Sequence, residues 1–354
     1  MVGGGAVAAR HVRTLLAMDG VEVAAVADPA LERAKELAGE AGAAVYPNHM
    51  ELLASERLDA VYICVPPFAH GAPELAVIDA GLPMFVEKPV AIDQETAVAI
   101  AARLAGRPLV TCTGYHWRWL DIFERAADLL ADRPARLVHC SWLDKVPPPP
   151  WWRRRDGSGG QTIEQTTHVL DTARALAGDV VEVHAFGSRA AATPDQGAEA
   201  ALPAADIDEV SVASLRFASG AVGSVTSTCL LPRLHRAGVH VVADGLSLEL
   251  TETRLVVEED GRRDAWDADA DARPRPDRDF VAAVRGGEDR IRVPWPEAYR
   301  THLLACAITR SAEEGRPLAV EGSGEPQGGA PVNREGSGEP QGGAPVNQVE
   351  QHDG

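Results

Sequence analysis

The chain begins "MVGGGAVAARHV" (1–12), and how this stretch is read decides the fold. Gly3, Gly5 and Ala8 fit the G-x-G-x-x-A form of a dinucleotide-binding turn. Its three positions serve a tight turn, a close backbone approach to a pyrophosphate, and close helix–strand packing. The helix opening at Ala6 and Val7 offers its first N–H groups to phosphate oxygens. Asp28, about twenty residues further on, ends the apolar run "VEVAAVAD" (21–28). A carboxylate there suits the adenosine ribose hydroxyls and repels a 2′-phosphate, which favours NAD; Arg33 nearby keeps NADP open.

The difficulty is the strand before the turn. In such a sheet the first strand is central, and central strands usually run to about five or six residues, yet only Met1 and Val2 precede Gly3. An unfilled gap would strand the backbone donors of both neighbours. The expectation is a polypeptide that begins upstream. The alternative is a shortened strand with a weakened cofactor site.

Outward from the turn, short β-branched runs alternate with Ala/Leu/Glu helical patterns up to about residue 120. "DAVYICVPP" (59–67), "PMFVEKP" (83–89) and "PLVTCTGY" (108–115) read as strands, with "PALERAKELAGEAG" (29–42) and "APELAVIDAG" (72–81) as helices between them. This is the pattern of a parallel sheet covered on both faces, an α/β Rossmann-type domain over 1–120. From about 136 the strands come as hairpins. "SVASLRFASGAVGSVTSTCL" (211–230) turns at Ser219-Gly220, and "HVVADGLSLELTETRLVVEEDGRRDAW" (240–266) continues likewise. One helix precedes these strands and others follow near 276–285 and 296–314, giving an α+β domain over 121–320 with a mostly antiparallel open sheet. In 321–354 the segment "EGSGEPQGGAPVN" occurs twice, at 321–333 and 335–347, and reads as a disordered tail.

Composition narrows the function. The net charge of −18 argues against nucleic acid, which demands a basic face. No apolar run reaches the length of a membrane span. The five cysteines lie far apart with no CxxC, as expected of reduced thiols in a cytoplasmic protein.

Three stretches carry chemistry. "VYICVPPFAH" (61–70) ends a strand with Pro66-Pro67 and then His70; "FVEKPVA" (85–91) ends another with Glu87-Lys88-Pro89; "GGQTIEQTTHVLD" (159–171) places Glu164 and His168 four apart on a helix, hence on one face. Together these resemble the glucose–fructose oxidoreductase / inositol dehydrogenase / MocA family, two-domain nicotinamide-dependent oxidoreductases of sugars and cyclitols. The resemblance runs from residue 2 to about 320. It implies that Lys88 binds the reacting hydroxyl or carbonyl beside the nicotinamide and that His168 transfers the proton. Glu164 stands where many members have Asp, and Thr166 where many have Gly. "GYHWRW" (114–119) matches a segment lining the active site, which puts Tyr115, His116 and Arg118 there. The resemblance also implies a homo-oligomer.

The residues support that chemistry directly. Oxidising an alcohol needs a base for the hydroxyl proton, which imidazole supplies near neutrality, and an ammonium stabilises a developing alkoxide. Glu164 either orients the imidazole or bonds a substrate hydroxyl. Pro66, Pro67, His70 and Glu87 are assigned to the cofactor loops. "KVPPPPWWRRRDGSGG" (145–160) brings Trp151, Trp152 and three arginines, either as a substrate-side loop for an anionic sugar or as a packing segment. No Cys/His/Asp cluster completes a metal site. A nicotinamide-binding sensor without turnover is the alternative function, although binding alone needs none of Lys88, Glu164 and His168.

Overall fold

A computed structural model describes residues 1–189 and 205–322. The tail assigned to 321–354 therefore lies, from 323 onward, outside the described residues.

The elements in order are α1 (Ala6–Leu16), β1 (Ala25–Ala27), α2 (Leu31–Ala41), β2 (Ala44–Tyr46), α3 (His49–Ser55), β3 (Val61–Ile63), α4 (Ala72–Asp79), β4 (Met84–Val86), α5 (Gln94–Leu104), β5 (Thr111–Thr113) and α6 (Asp121–Leu130). Then come β6 (Leu137–Leu143), α7 (Arg155–Ser158), α8 (Thr167–Ala177), β7 (Val180–Ser188), β8 (Val210–Phe217), β9 (Val222–Thr228), β10 (Arg236–Ala243), β11 (Leu246–Thr251), β12 (Arg254–Glu259), β13 (Arg262–Asp267), α9 (Arg275–Val284), α10 (Trp295–Glu314) and β14 (Leu318–Ala319).

The gap expected in the first sheet is filled. Val2 bridges Ala27 on one side and Ile63 on the other, both parallel. Its N–H donates to Tyr62 O and its carbonyl accepts from Cys64 N, both at 2.8 Å; Gly3 N donates to Ala27 O at 2.8 Å, and Met1 O accepts from Ala27 N at 2.9 Å. The Met1 ammonium donates to Ala25 O at 2.8 Å. Three residues thus join the β1–β2 pair to the β3–β4–β5 sheet, giving Ala27 and Cys64 acceptors for their N–H groups. The result is one parallel sheet in the doubly wound order.

The second sheet has nine strands in the order β13-β12-β11-β10-β6-β9-β8-β7-β14, antiparallel except for the β6–β9 pair. α6, α8 and α10 pack on one face, closing a core that includes Val138, Leu170, Val239, Leu248 and Ile308. The chain then crosses back, because Phe280, Val293, Trp295 and Ala298 pack with the parallel sheet's core. Asp277 is therefore delivered to the N-terminal half from a distant part of the sequence.

Among the described residues no helix is long and apolar enough to cross a membrane.

Candidate active site

The glycine turn has the geometry its sequence implies. Gly3 lies at φ +100°, and a Cβ there would run into the Cys64 carbonyl. Gly5 caps α1 in extended backbone, with open space where its Cβ would be. The first turn of α1 carries no acid and no side-chain cap, and Ala6 and Val7 are exposed. These are the free N–H groups and clear approach that a pyrophosphate requires. Asp28 Oδ2 accepts from Gly4 N at 2.8 Å and Oδ1 from Ala30 N at 2.7 Å, so this carboxylate also braces the turn. Arg33 is exposed on α2, its backbone against Gly4. The residues fit a dinucleotide.

Lys88 follows β4, with a cis bond to Pro89. Its Nζ donates to Glu164 Oε1 at 2.9 Å and to the Glu164 carbonyl at 2.8 Å. The helix carrying Glu164 is not regular: Thr162–Thr166 form a π turn leading into α8. Glu164 and His168 still share one end of this segment, but not as a straight α-helical pair. π turns are frequent at functional sites. Glu164 Oε2 accepts from Trp152 Nε1 at 2.7 Å. The carboxylate is thereby held by a lysine and an indole; its hydrogen bonds in this structure do not go to His168.

His168 is held by rings. Its imidazole lies 5.7 Å from Trp142 and 6.2 Å from Trp117 in near-parallel stacks, and 5.4 Å from His116 edge to face. Burial, then the charges of Lys88 and His116, push its pKa well below the usual imidazole range. The ring stands neutral as a proton acceptor. His116, half-buried, pairs through Nε2 with Glu252 Oε1 at 3.0 Å, and Arg273 also binds Glu252.

Several other sequence candidates are turned inward. Tyr115 is fully buried, its hydroxyl 2.6 Å from Thr167 Oγ1. Arg118 forms a two-pronged pair with Asp171 at 2.7 and 3.0 Å and reaches Glu297. His70 is sealed against Glu74 at 2.6 Å behind the short turn opened by Pro66 and Pro67. Trp151 meets Phe68 edge to face at 6.3 Å, tying its loop to the parallel-sheet domain. Arg154 pairs with Asp156, and Arg155 with Glu313.

Glu87 is buried, in space left by the absent side chain of Gly114. It accepts from His11 Nε2 at 2.8 Å and Arg10 Nη2 at 3.2 Å, while His11 Nδ1 meets Asp277 Oδ1 at 2.6 Å. Burial raises the Glu87 pKa, but His11, Arg10 and Lys88 together bring it down to about 2. Burial likewise lowers that of His11, and its bonds to Asp277 and Glu87 outweigh this, raising it to about 9. His11, Asp277, Glu252 and Trp142 escaped the sequence reading. His11 is spaced three residues after Ala8 in α1, but its partners lie 76 and 266 positions away.

A turn built for phosphates, with Lys88 after a parallel strand meeting Glu164 beside His168 at the start of α8, defines a nicotinamide-type oxidoreductase architecture. Residues 1–115 match the model of an oxidoreductase family with an NAD-binding Rossmann fold, and residues 134–248 match the GFO/IDH/MocA C-terminal domain; the chain belongs to this family. It is 35% identical over 149 residues to inositol 2-dehydrogenase 1 of Saccharopolyspora erythraea, covering 40% of this chain and 44% of that protein. It is 26% identical over 320 residues to D-xylose 1-dehydrogenase (NADP(+)) 2 of Haloferax volcanii, covering 85% and 92%. The chain spans 33% to 56% of the length of the first curated relatives that it matches. Levoglucosan dehydrogenase in complex with NADH and levoglucosan has the same fold, with a TM-score of 0.77 at 20% identity over 90% of this chain and 98% of that one.

Proposed function

We propose that this protein is an NAD-dependent dehydrogenase that moves a hydride between the nicotinamide and a hydroxyl-bearing carbon of a sugar, cyclitol or related polyol. The observation that carries this reading is the Lys88–Glu164 pair with a neutral His168 packed beside it, at the end of the sheet that also holds the glycine turn. The names of the inositol and xylose dehydrogenase relatives support the substrate class.

Bound nicotinamide supplies the hydride chemistry, and the protein's own residues do the rest. Gly5 and the first turn of α1 hold the pyrophosphate, and Asp28 holds the ribose. Lys88 spends two N–H groups on Glu164 and has a third for the reacting oxygen, where its charge steadies a developing alkoxide. His168 accepts the hydroxyl proton. Arg154 and Arg155 pair with acids, whereas the buried Nε of Arg153 has no hydrogen-bond partner among the described residues. The open face of the nine-stranded sheet, with Phe186, Val212 and Val222 exposed, supports self-association.

The test is calorimetry with NADH followed by a polyol screen on wild type and Lys88→Met. Binding in both proteins, with turnover only in wild type, is the expected result. No NADH binding by the wild type overturns the proposal.

A further inference from the structure

We infer that His11 is a positioning residue: bridging Asp277 and Glu87, it ties the helix behind the phosphate turn to the turn that carries Lys88. The inference rests on the functional reading above, since it gives Lys88 its role.

The geometry sets the proton count. Each ring nitrogen of His11 lies within 2.8 Å of a carboxylate oxygen. A neutral imidazole has one N–H and would turn a lone pair against the other carboxylate. The three groups therefore share one proton beyond a neutral ring and two carboxylates. Burial makes that proton costly to misplace, because an unpaired charge in this interior is heavily penalised. The raised pKa of His11 and the lowered one of Glu87 put it on the ring.

The bridge joins three parts of the chain that no other buried ion pair connects in this way among the described residues. His11 belongs to α1, whose first turn faces the pyrophosphate; Asp277 belongs to α9; Glu87 directly precedes Lys88. Glu87 Oε2 accepts from the Lys88 backbone N–H at 3.1 Å, so the carboxylate that His11 holds in turn holds the Lys88 backbone. The ring packs at a tilt against the stacked pair of Tyr62 and Phe85, at 5.4 and 4.9 Å, so a change of rotamer would give up these aromatic contacts. The other ionisable groups around the unit are Arg10 on the same helix, Tyr62 and Cys64 on and after β3, Cys112 in β5, Asp279 on α9, Lys88 itself and the Met1 ammonium, which burial lowers to about 6 and so separates from the His11 transition. Burial lifts Tyr62 and both thiols well above their usual ranges, so they stay neutral while His11 titrates.

The experiment uses the full chain without cofactor. Lys35, Lys88 and Lys145 are its only lysines, so side-chain NMR of labelled lysine resolves Lys88, assigned with Lys88→Met. Labelled histidine is observed in parallel. The expected result is a His11 ring carrying two protons at pH 7 and losing one near pH 9, with the Lys88 signal stepping at the same pH. Asp277→Asn removes one of the two anions and moves both transitions down together. His11→Gln abolishes the Lys88 step and, in the loaded enzyme, lowers kcat at least tenfold while NADH affinity changes less than threefold.

A singly protonated His11 at pH 7 overturns the inference, as does a Lys88 signal indifferent to the His11 transition. So does a His11→Gln protein that melts earlier but turns over normally when folded. If wild type binds NADH yet oxidises no polyol, the functional reading fails by itself and the NMR transitions still decide the coupling.

Discussion

The indole of Trp152 donates to Glu164 Oε2 at 2.7 Å, so a segment of the loop before α8 fixes the carboxylate that in turn holds Lys88. Trp152 is almost wholly buried and is anchored on its far side by Ile207 and Cys229. The indole is thus a rigid support, and Glu164 answers to it as much as to the lysine.

Replacing Trp152 by Phe keeps most of the packing and removes the N–H. A hydrogen bond to a charged group is worth about 1.5–3 kcal/mol. Freed on one side, Glu164 rotates and Lys88 follows. We expect kcat/KM for the polyol to fall about tenfold or more, since about 1.4 kcal/mol is a factor of ten. NADH affinity should stay within a factor of about three. Steady-state kinetics with calorimetry checks this, and an unchanged kcat/KM would show that Lys88 alone holds the carboxylate.

Gly3 and Gly5 predict opposite outcomes for one added methyl group. At Gly3, alanine meets the Cys64 carbonyl and an unfavourable positive φ, so Gly3→Ala should lower the melting temperature sharply. At Gly5 the backbone is extended and the space is open, so Gly5→Ala should melt like wild type. Its methyl group occupies the approach to the helix N-terminus, and NADH binding should weaken at least tenfold. Thermal melts and calorimetry on the two variants separate the structural glycine from the cofactor-facing one.

A base must be neutral to act, and the pKa of His168 is pushed down by burial and then by Lys88 and His116. The acid limb of kcat/KM should therefore lie well below the ordinary imidazole range near 6.5, with activity flat through neutral pH. His168→Asn should cost about 10²–10⁴ in kcat, the usual span for a general base, while NADH still binds. A limb at or above pH 6.5 in wild type would remove His168 from that role.

Periodicity made the sheets legible but hid the site's fine structure. "PMFVEKP" and "VYICVPP" are near-continuous apolar runs, and they became β4 and β3 because a strand buried on both faces needs no polar alternation. The two-residue start looked too short, yet Met1–Gly3 pair on both sides because the strands of this sheet are themselves only three residues long. Spacing four apart placed Glu164 and His168 on one helix face, but spacing cannot reveal a π turn or an indole twelve positions earlier in the chain. Tyr115 and Arg118 sit in a segment that resembles an active-site lining. Their side chains bond Thr167 and Asp171, which lie with His168 on α8, and the Tyr115 ring meets that of His168 edge to face at 5.9 Å; these partners became visible only once α8 was packed against them.

The buried His302 on α10 makes stability sensitive to acid. Its Nε2 lies 3.0 Å from the Asp93 carbonyl, so that nitrogen carries the proton and Nδ1, buried without a hydrogen-bond partner among the described residues, is bare. Burial lowers its pKa from 6.5 to about 4, outweighing the Asp93 bond. Between those values the unfolded chain binds a proton that the folded one refuses, so stability must fall as pH drops from about 6.5 toward 4 and level off below. His302→Asn can keep a donor toward the Asp93 carbonyl but has nothing to titrate. Urea denaturation at a series of pH values should show wild type losing stability across that window, and the variant, although weaker at pH 7, losing less. Equal slopes in the two proteins would mean that His302 binds its proton equally well folded and unfolded, and that other groups carry the acid sensitivity.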